Sequence, residues 1–108
     1  MFKEEWDKLQ SEAYETAKKS GFHEGERNLA EMIALMHSEL SEALEALRVG
    51  NPASEKLTDL SHVEEELADV VIRIMNMAAY CKYDIATAIL KKMAYNKTRP
   101  FKHGGKKF

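Results

Sequence analysis

The chain has 108 residues, of which 44% are hydrophobic and 31% charged, with two prolines and one cysteine. This length suits one domain, the apolar content excludes disorder throughout, and no apolar run approaches the roughly 20 residues of a membrane span. A lone cysteine forms no internal disulfide, and Met1–Asp7 lacks the features of a signal peptide. We therefore expect a cytoplasmic protein with no membrane partner.

The net charge of −2 conceals an uneven distribution of charges. Residues 91–108 carry seven basic side chains and no acidic one, which leaves nine basic and eighteen acidic side chains in the first ninety residues. A basic C-terminal tail, residues 98–108, on an acidic body suggests an anionic partner. We treat the chain as a single domain over residues 1–108.

Apolar side chains recur at helical spacing through most of the chain. Gly21 is a plausible stop for the first helix, and Asn28 and Asp84 are suited to cap the second and the fourth. Ser61 and Glu64 have the spacing of a capping box at the start of the third. No segment alternates like a strand, so we predict an all-α fold, a four-helix bundle. The predicted helices span Phe2–Ala17, Asn28–Arg48, Ser61–Lys82 and Ile85–Asn96.

Two pairs of carboxylates interrupt the apolar pattern of the second and third helices. At about 100° per residue, Glu39 lies on the shoulder of the apolar stripe and Glu42 lies about 60° further round. The third helix is apolar around more than half of its circumference, and Glu66 and Asp69 fall within its one polar wedge. A helix that is apolar nearly all round is expected to be buried, where unpaired carboxylates are costly.

If these two helices pack antiparallel, the four carboxylates converge. Four carboxylates at close range do not all stay ionised without cations, and oxygen ligands favour Mg²⁺ or Mn²⁺. The competing interpretation is a salt-bridge network that includes Arg73, one turn after Asp69. A di-iron carboxylate bundle is disfavoured, because the helix faces offer no Glu-x-x-His pair.

The sequence resembles the MazG-like nucleotide pyrophosphohydrolases of the all-α NTP pyrophosphatase superfamily. The resemblance rests on E-x-x-E at Glu39 and Glu42, E-x-x-D at Glu66 and Asp69, and the K-M-x-x-N-x-x-R segment in residues 92–99, followed by the His-Gly-Gly-Lys run from residue 103. It implies hydrolysis of nucleoside triphosphates between the α and β phosphates, giving a monophosphate and pyrophosphate. It also implies Mg²⁺ on the four carboxylates and a homodimer or tetramer.

The same resemblance implies that Lys92 and Asn96 contribute to a nucleotide site. Relatives often place an aromatic or His residue in the loop before the second helix, and Phe22 and His23 are the candidates for that nucleotide-binding position here. Lys97 and Arg99 are suited to phosphate oxygens. Asn76 departs from the family, because many close relatives have an acidic residue there.

Two alternatives to this function stay open. The first is a non-catalytic helical interaction module whose basic tail binds a nucleic acid or a protein, although the intact set of four acids argues against it. The second is a specialised relative, such as a phosphoribosyl-ATP pyrophosphatase-like enzyme, which differs in substrate. The sequence does not separate these substrates, nor base and sugar preference.

Overall fold

A computed structural model describes residues 1–108, apart from the side chain of His103. It confirms the all-α class, since the only strand-like feature among the described residues is an isolated bridge between Ala53 and Ser61. The short last helix, Lys102–Gly105, was not predicted. None of the described helices has both the length and the apolar composition needed to cross a bilayer. The helices are α1 (Phe2–Lys19), α2 (Leu29–Arg48), α3 (His62–Cys81), α4 (Ile85–Lys97) and α5 (Lys102–Gly105).

The structure confirms the predicted caps at three helix starts and the predicted stop after α1. Such ends are predictable because they depend on local hydrogen bonds and backbone conformation. The side chains of Asn28, Ser61 and Asp84 each accept a hydrogen bond from a backbone N–H in the first turn of the helix that follows. The carboxylate of Glu64 in turn accepts a hydrogen bond from the backbone N–H of Ser61 at 3.0 Å, which completes the capping box. Gly21 follows α1 with a φ of +87°, a conformation that favours glycine.

The α2 and α3 helices form an antiparallel pair that carries the four carboxylates. Near the connector, Asn51 Oδ1 accepts from the backbone N–H of Val63 at 3.0 Å, whereas Arg73, farther along α3, reaches back to Glu39. The α1 helix packs against α3, and α4 packs against α1. The α3 helix therefore lies between α1 and α2.

The core of one chain is small, and much of the apolar surface stays open. Its buried apolar residues are mainly alanines, with Met32 and Met75 as the larger ones. The radius of gyration is 16.3 Å, against about 13 Å for a compact domain of this length. Part of the apolar stripes of α2 and α3, which we expected to be buried, is therefore exposed in the single chain. The exposed side chains on α2 and α3 include Ile33, Leu40, Leu44, Leu47, Leu67, Val71 and Ile72.

The connector between α2 and α3 is organised around Ser54, which is only 2% exposed. Its hydroxyl accepts from the backbone N–H groups of Lys56 and Leu57 and donates to the carboxylate of Glu65. Its own N–H donates to Leu60 O at 2.8 Å. This one residue therefore links the loop conformation to the first turn of α3.

Replacing Ser54 by alanine is expected to lower the free energy of unfolding by about 1–3 kcal/mol, because buried partners are left unsatisfied. Urea denaturation at pH 7 measures the effect. Ser41→Ala, at an exposed position on α2, is the matched control and is expected to change the stability by no more than about 0.5 kcal/mol. Equal effects of the two substitutions would contradict the role of Ser54.

Candidate metal centre

Three of the four predicted carboxylates converge where α2 faces α3. Glu39 and Glu42, one turn apart on α2, and Glu66 on α3 each offer an oxygen, and these oxygens lie within 4.8 Å of one another. We call these three residues the acidic cluster. Asp69, one turn after Glu66, stands outside this close group among the described side chains, but it lines the same neighbouring cavity as Glu39. Of the four predicted carboxylates, Glu39, Glu42 and Glu66 therefore lie close together, and Asp69 lies at the edge of the group.

Glu66 is the buried centre of the acidic cluster, with 6% of its surface exposed. Its Oε2 is buried and has no hydrogen-bond partner among the described side chains. Burial, together with the neighbouring carboxylates of Glu39 and Glu42, raises the pKa of Glu66 to about 7, while His62 opposes the shift. A buried carboxylate oxygen without a donor costs free energy that a bound cation offsets. The donor set thus fits a hard divalent cation.

Arg73 neutralises one member of the acidic cluster. Its Nε and Nη2 lie 3.1 and 3.0 Å from the same Oε1 of Glu39. Burial raises the pKa of Glu39, but its interactions with Glu66, Glu42 and Arg73 outweigh that effect and hold the pKa below its ordinary value. The pKa of Asp69 is raised, chiefly by burial. The salt bridge anticipated for Arg73 therefore exists, with Glu39 as its partner, and one guanidinium faces several carboxylates.

A cavity of about 800 Å³ opens beside Glu39 and Asp69. Its walls come from α1, the α1–α2 loop, α2 and α3, and they are largely apolar, with Leu9, Leu35 and Ile72 among them. This volume falls within the range of small-molecule sites, which combine apolar walls with a few polar groups. The acidic cluster thus lies at the edge of a space that is large enough for a nucleotide.

His23 and Phe22, the two candidates in the loop before α2, both line this cavity. The ring of His23 lies between Tyr14 and Tyr80, with centroids 4.5 and 5.9 Å away, and its Nδ1 is 3.3 Å from Arg27 Nη1. Burial, followed by the charge of Arg27, lowers the pKa of His23.

Among the described residues, His23 Nε2 and Asn76 Oδ1 are buried without a hydrogen bond of good geometry, but the Asn76 side chain interacts with His23 and opposes the lowering of its pKa. Both side chains line the cavity and are polar groups available to a ligand.

The predicted phosphate ligands on α4 lie elsewhere in the single chain. Lys92, Asn96 and Lys97 are exposed, and Lys92 Nζ stacks 4.8 Å above the Tyr95 ring. Arg99 approaches the same ring at 6.0 Å. No described residue of α4 lines the cavity. None of these four residues, including Arg99 just beyond α4, lines the cavity of its own chain.

Two cavity or cluster residues were missed from the sequence. His62 was not singled out from the sequence, but its Nε2 lies 3.0 Å from Glu66 Oε1, a contact that the i, i+4 spacing signals. Arg27 lines the cavity and donates its backbone N–H to Tyr80 Oη at 2.9 Å. It lies in a loop, where no periodicity indicates which way a side chain points.

Comparison with known proteins adds nothing to this geometry: no family model, curated protein or solved structure matches the chain. Three features of the chain itself bear on its function: the acidic cluster, the adjacent cavity and the buried polar atoms of Glu66, His23 and Asn76.

Proposed function

We propose that the protein is a Mg²⁺-dependent nucleoside triphosphate pyrophosphohydrolase that cleaves between the α and β phosphates. The observation that carries the proposal is the position of the acidic cluster beside an 800 Å³ cavity with apolar walls. Phosphoryl transfer requires charge neutralisation and positioning, which cations on carboxylates and a shaped cavity supply. The resemblance to MazG-like enzymes supports the same reaction.

The four acids have one role in this proposal. Glu39, Glu42, Glu66 and Asp69 hold Mg²⁺, with Mn²⁺ as a possible substitute. The bound ion neutralises phosphate charge and acidifies water. Arg73 keeps Glu39 ionised when no cation is present. Because the acids alone repel a triphosphate, the site also needs cationic side chains near the phosphates.

The groups that bind the nucleotide fall into two sets in this proposal. His23 and Asn76 line the cavity and offer polar atoms to the base or sugar. Lys92, Asn96, Lys97 and Arg99 contact the phosphates. Since α4 does not line the cavity of its own chain, we propose that a neighbouring copy in a homodimer or tetramer supplies these four residues.

Product analysis tests the reaction. A panel of ribo- and deoxyribonucleoside triphosphates is incubated with protein and Mg²⁺, and the phosphorus products are resolved by ³¹P NMR. We expect pyrophosphate and a nucleoside monophosphate from at least one triphosphate, and no turnover in EDTA. Orthophosphate with a nucleoside diphosphate would overturn the cleavage position. No turnover, combined with salt-sensitive nucleic-acid binding, would favour the non-catalytic module instead.

The oligomer makes a separate prediction. Light scattering after size exclusion is expected to give two or four times the 12.3 kDa mass of the chain. Leu44→Glu, on the exposed stripe of α2, is expected to yield monomers, because a carboxylate is costly to bury in an apolar interface. Leu57→Glu, at a similarly exposed connector position, is the control and leaves the mass unchanged. A monomeric wild-type chain would overturn this arrangement.

Mixing two inactive variants tests whether the site is shared between copies. Glu39→Gln removes a carboxylate, and Lys92→Ala removes a cation. If each site combines both from different copies, mixed dimers regain one intact site, and activity returns on mixing. Failure to recover activity in mixed oligomers would show that each chain completes its own site.

A further inference from the structure

A second group of metal-ligand side chains lies on the other side of Glu66. His62, Glu65 and Glu66 each offer one ligand atom, and these atoms lie within 4.8 Å of one another. Glu66 is the only residue that this group shares with the acidic cluster. We propose that these three residues form a second cation subsite, which takes a transition-metal ion such as Zn²⁺ or Co²⁺ in preference to Mg²⁺.

The ligand chemistry distinguishes the two groups. The acidic cluster offers only carboxylate oxygens, which suit Mg²⁺ and Mn²⁺, whereas the second group includes an imidazole, which suits zinc and its neighbours. His62 Nε2 and Glu66 Oε1 are 3.0 Å apart. Two ligands that each lie about 2.1 Å from a tetrahedral ion are about 3.4 Å apart, so this pair needs to separate by only about 0.4 Å to share an ion.

The buried carboxylate of Glu66, which the two groups share, gives a reason for a cation on either side of it. Glu66 is more than nine-tenths buried, and its Oε2 lacks any hydrogen-bond donor. A hydrogen bond from His62 serves only Oε1. The other groups nearest to Glu66 are the carboxylates of Glu39 and Glu42, which donate nothing when ionised. An ion bound beside Glu66 would satisfy the remaining oxygen.

The surroundings hold the other two ligands in place. The buried Ser54 hydroxyl donates to Glu65, as an outer-shell partner orients a ligating carboxylate. The side chain of His62 is 39% exposed, which leaves room for solvent to complete the coordination. The N-terminus of α3 carries about half a positive charge, which repels a cation. The two carboxylates of Glu65 and Glu66 outweigh this repulsion.

Metal alone, without nucleotide, tests the subsite on the full untagged chain. Zn²⁺ and Mg²⁺ affinities are measured by calorimetry for the wild type, His62→Gln and His37→Gln, the last at an exposed histidine on α2. We expect His62→Gln to weaken Zn²⁺ binding by at least about tenfold and to leave Mg²⁺ binding unchanged. Tenfold is the lower end of the loss in metal affinity caused even by substitutions of residues that only support a ligand. His37→Gln is expected to match the wild type.

A third variant separates this subsite from the acidic cluster. Glu42→Gln is expected to weaken Mg²⁺ binding and to retain Zn²⁺ binding, with zinc shifting the imidazole NMR signals of His62. The proposal is overturned if His62→Gln binds Zn²⁺ as the wild type does. It is also overturned if Glu42→Gln loses both metals together, since zinc then occupies the acidic cluster. Neither readout depends on nucleotide hydrolysis, so the proposed reaction can fail while the subsite stands.

Discussion

Replacing Glu66 by glutamine is expected to abolish Mg²⁺ binding and, at the same time, to stabilise the metal-free protein at pH 8. Glu66 is the buried centre of the acidic cluster, and its Oε2 has no donor. Glutamine has nearly the same shape but carries no charge, so it removes the ligand and also removes the cost of burying a carboxylate beside Glu39 and Glu42. A merely structural glutamate would not give these opposite effects.

The pH dependence fixes the sign of the stability change. The pKa of Glu66 is raised to about 7 in the folded chain, so folding disfavours its ionised form. This cost is absent below the ordinary pKa of 4.5, grows between the two values and is complete above about 7. Glu66→Gln should therefore gain stability at pH 8 and little at pH 5. The gain is on the order of 2 kcal/mol, because the opposite shift of Glu39 offsets part of it.

Urea denaturation in EDTA at pH 5 and pH 8 measures the stability, and the Mg²⁺-induced shift in Tm measures binding. Glu45→Gln is the matched control, since Glu45 is an exposed α2 carboxylate whose surface pair with Arg48, at 3.7 Å, contributes little. It should leave both readouts unchanged. An undiminished Mg²⁺ response in Glu66→Gln, or a loss of stability at pH 8, would contradict the assignment of Glu66.

Local features of this fold were predictable from the sequence. The caps at Asn28, Ser61 and Asp84 depend on side chains within one turn of each helix start, and the structure shows all three. The placement of Glu39 and Glu66 off the apolar arcs, together with antiparallel packing of α2 and α3, anticipated their meeting. Helical periodicity carries this information, because it fixes the direction of each side chain around its helix.

What the sequence left undetermined depends on longer-range packing. Periodicity shows that Leu40 and Leu44 lie on an apolar face but not what covers it, and in one chain both stay half exposed. The spacing suggested Asp69 as the partner of Arg73, whereas the relative offset of α2 and α3 gives that guanidinium to Glu39. The cavity depends on how the α1–α2 loop turns, which places His23 between two tyrosines.

The pair between Arg73 and Glu39 leads to the second large effect. Arg73→Gln is expected to destabilise the metal-free protein, because Glu39 then sits among carboxylates without a counter-charge. Removing one partner of a fully buried pair costs about 3–5 kcal/mol, and the partial exposure of Arg73 reduces the expected loss to roughly 1–2 kcal/mol. Urea denaturation in EDTA measures it. Arg48→Gln, which breaks an exposed pair at 3.7 Å, is the control and should have little effect.

Mg²⁺ should then stabilise Arg73→Gln by more than it stabilises the wild type. In the wild type, a cation must share or displace the guanidinium on Glu39 Oε1, whereas in the variant that oxygen is free. The excess Mg²⁺-induced shift in Tm over the wild type is the diagnostic quantity, because a loss of packing alone lowers stability without increasing the response to the ion. An equal or smaller shift would mean that the ion and Arg73 do not compete for Glu39, and that the cation binds nearer to Glu42 and Glu66 alone.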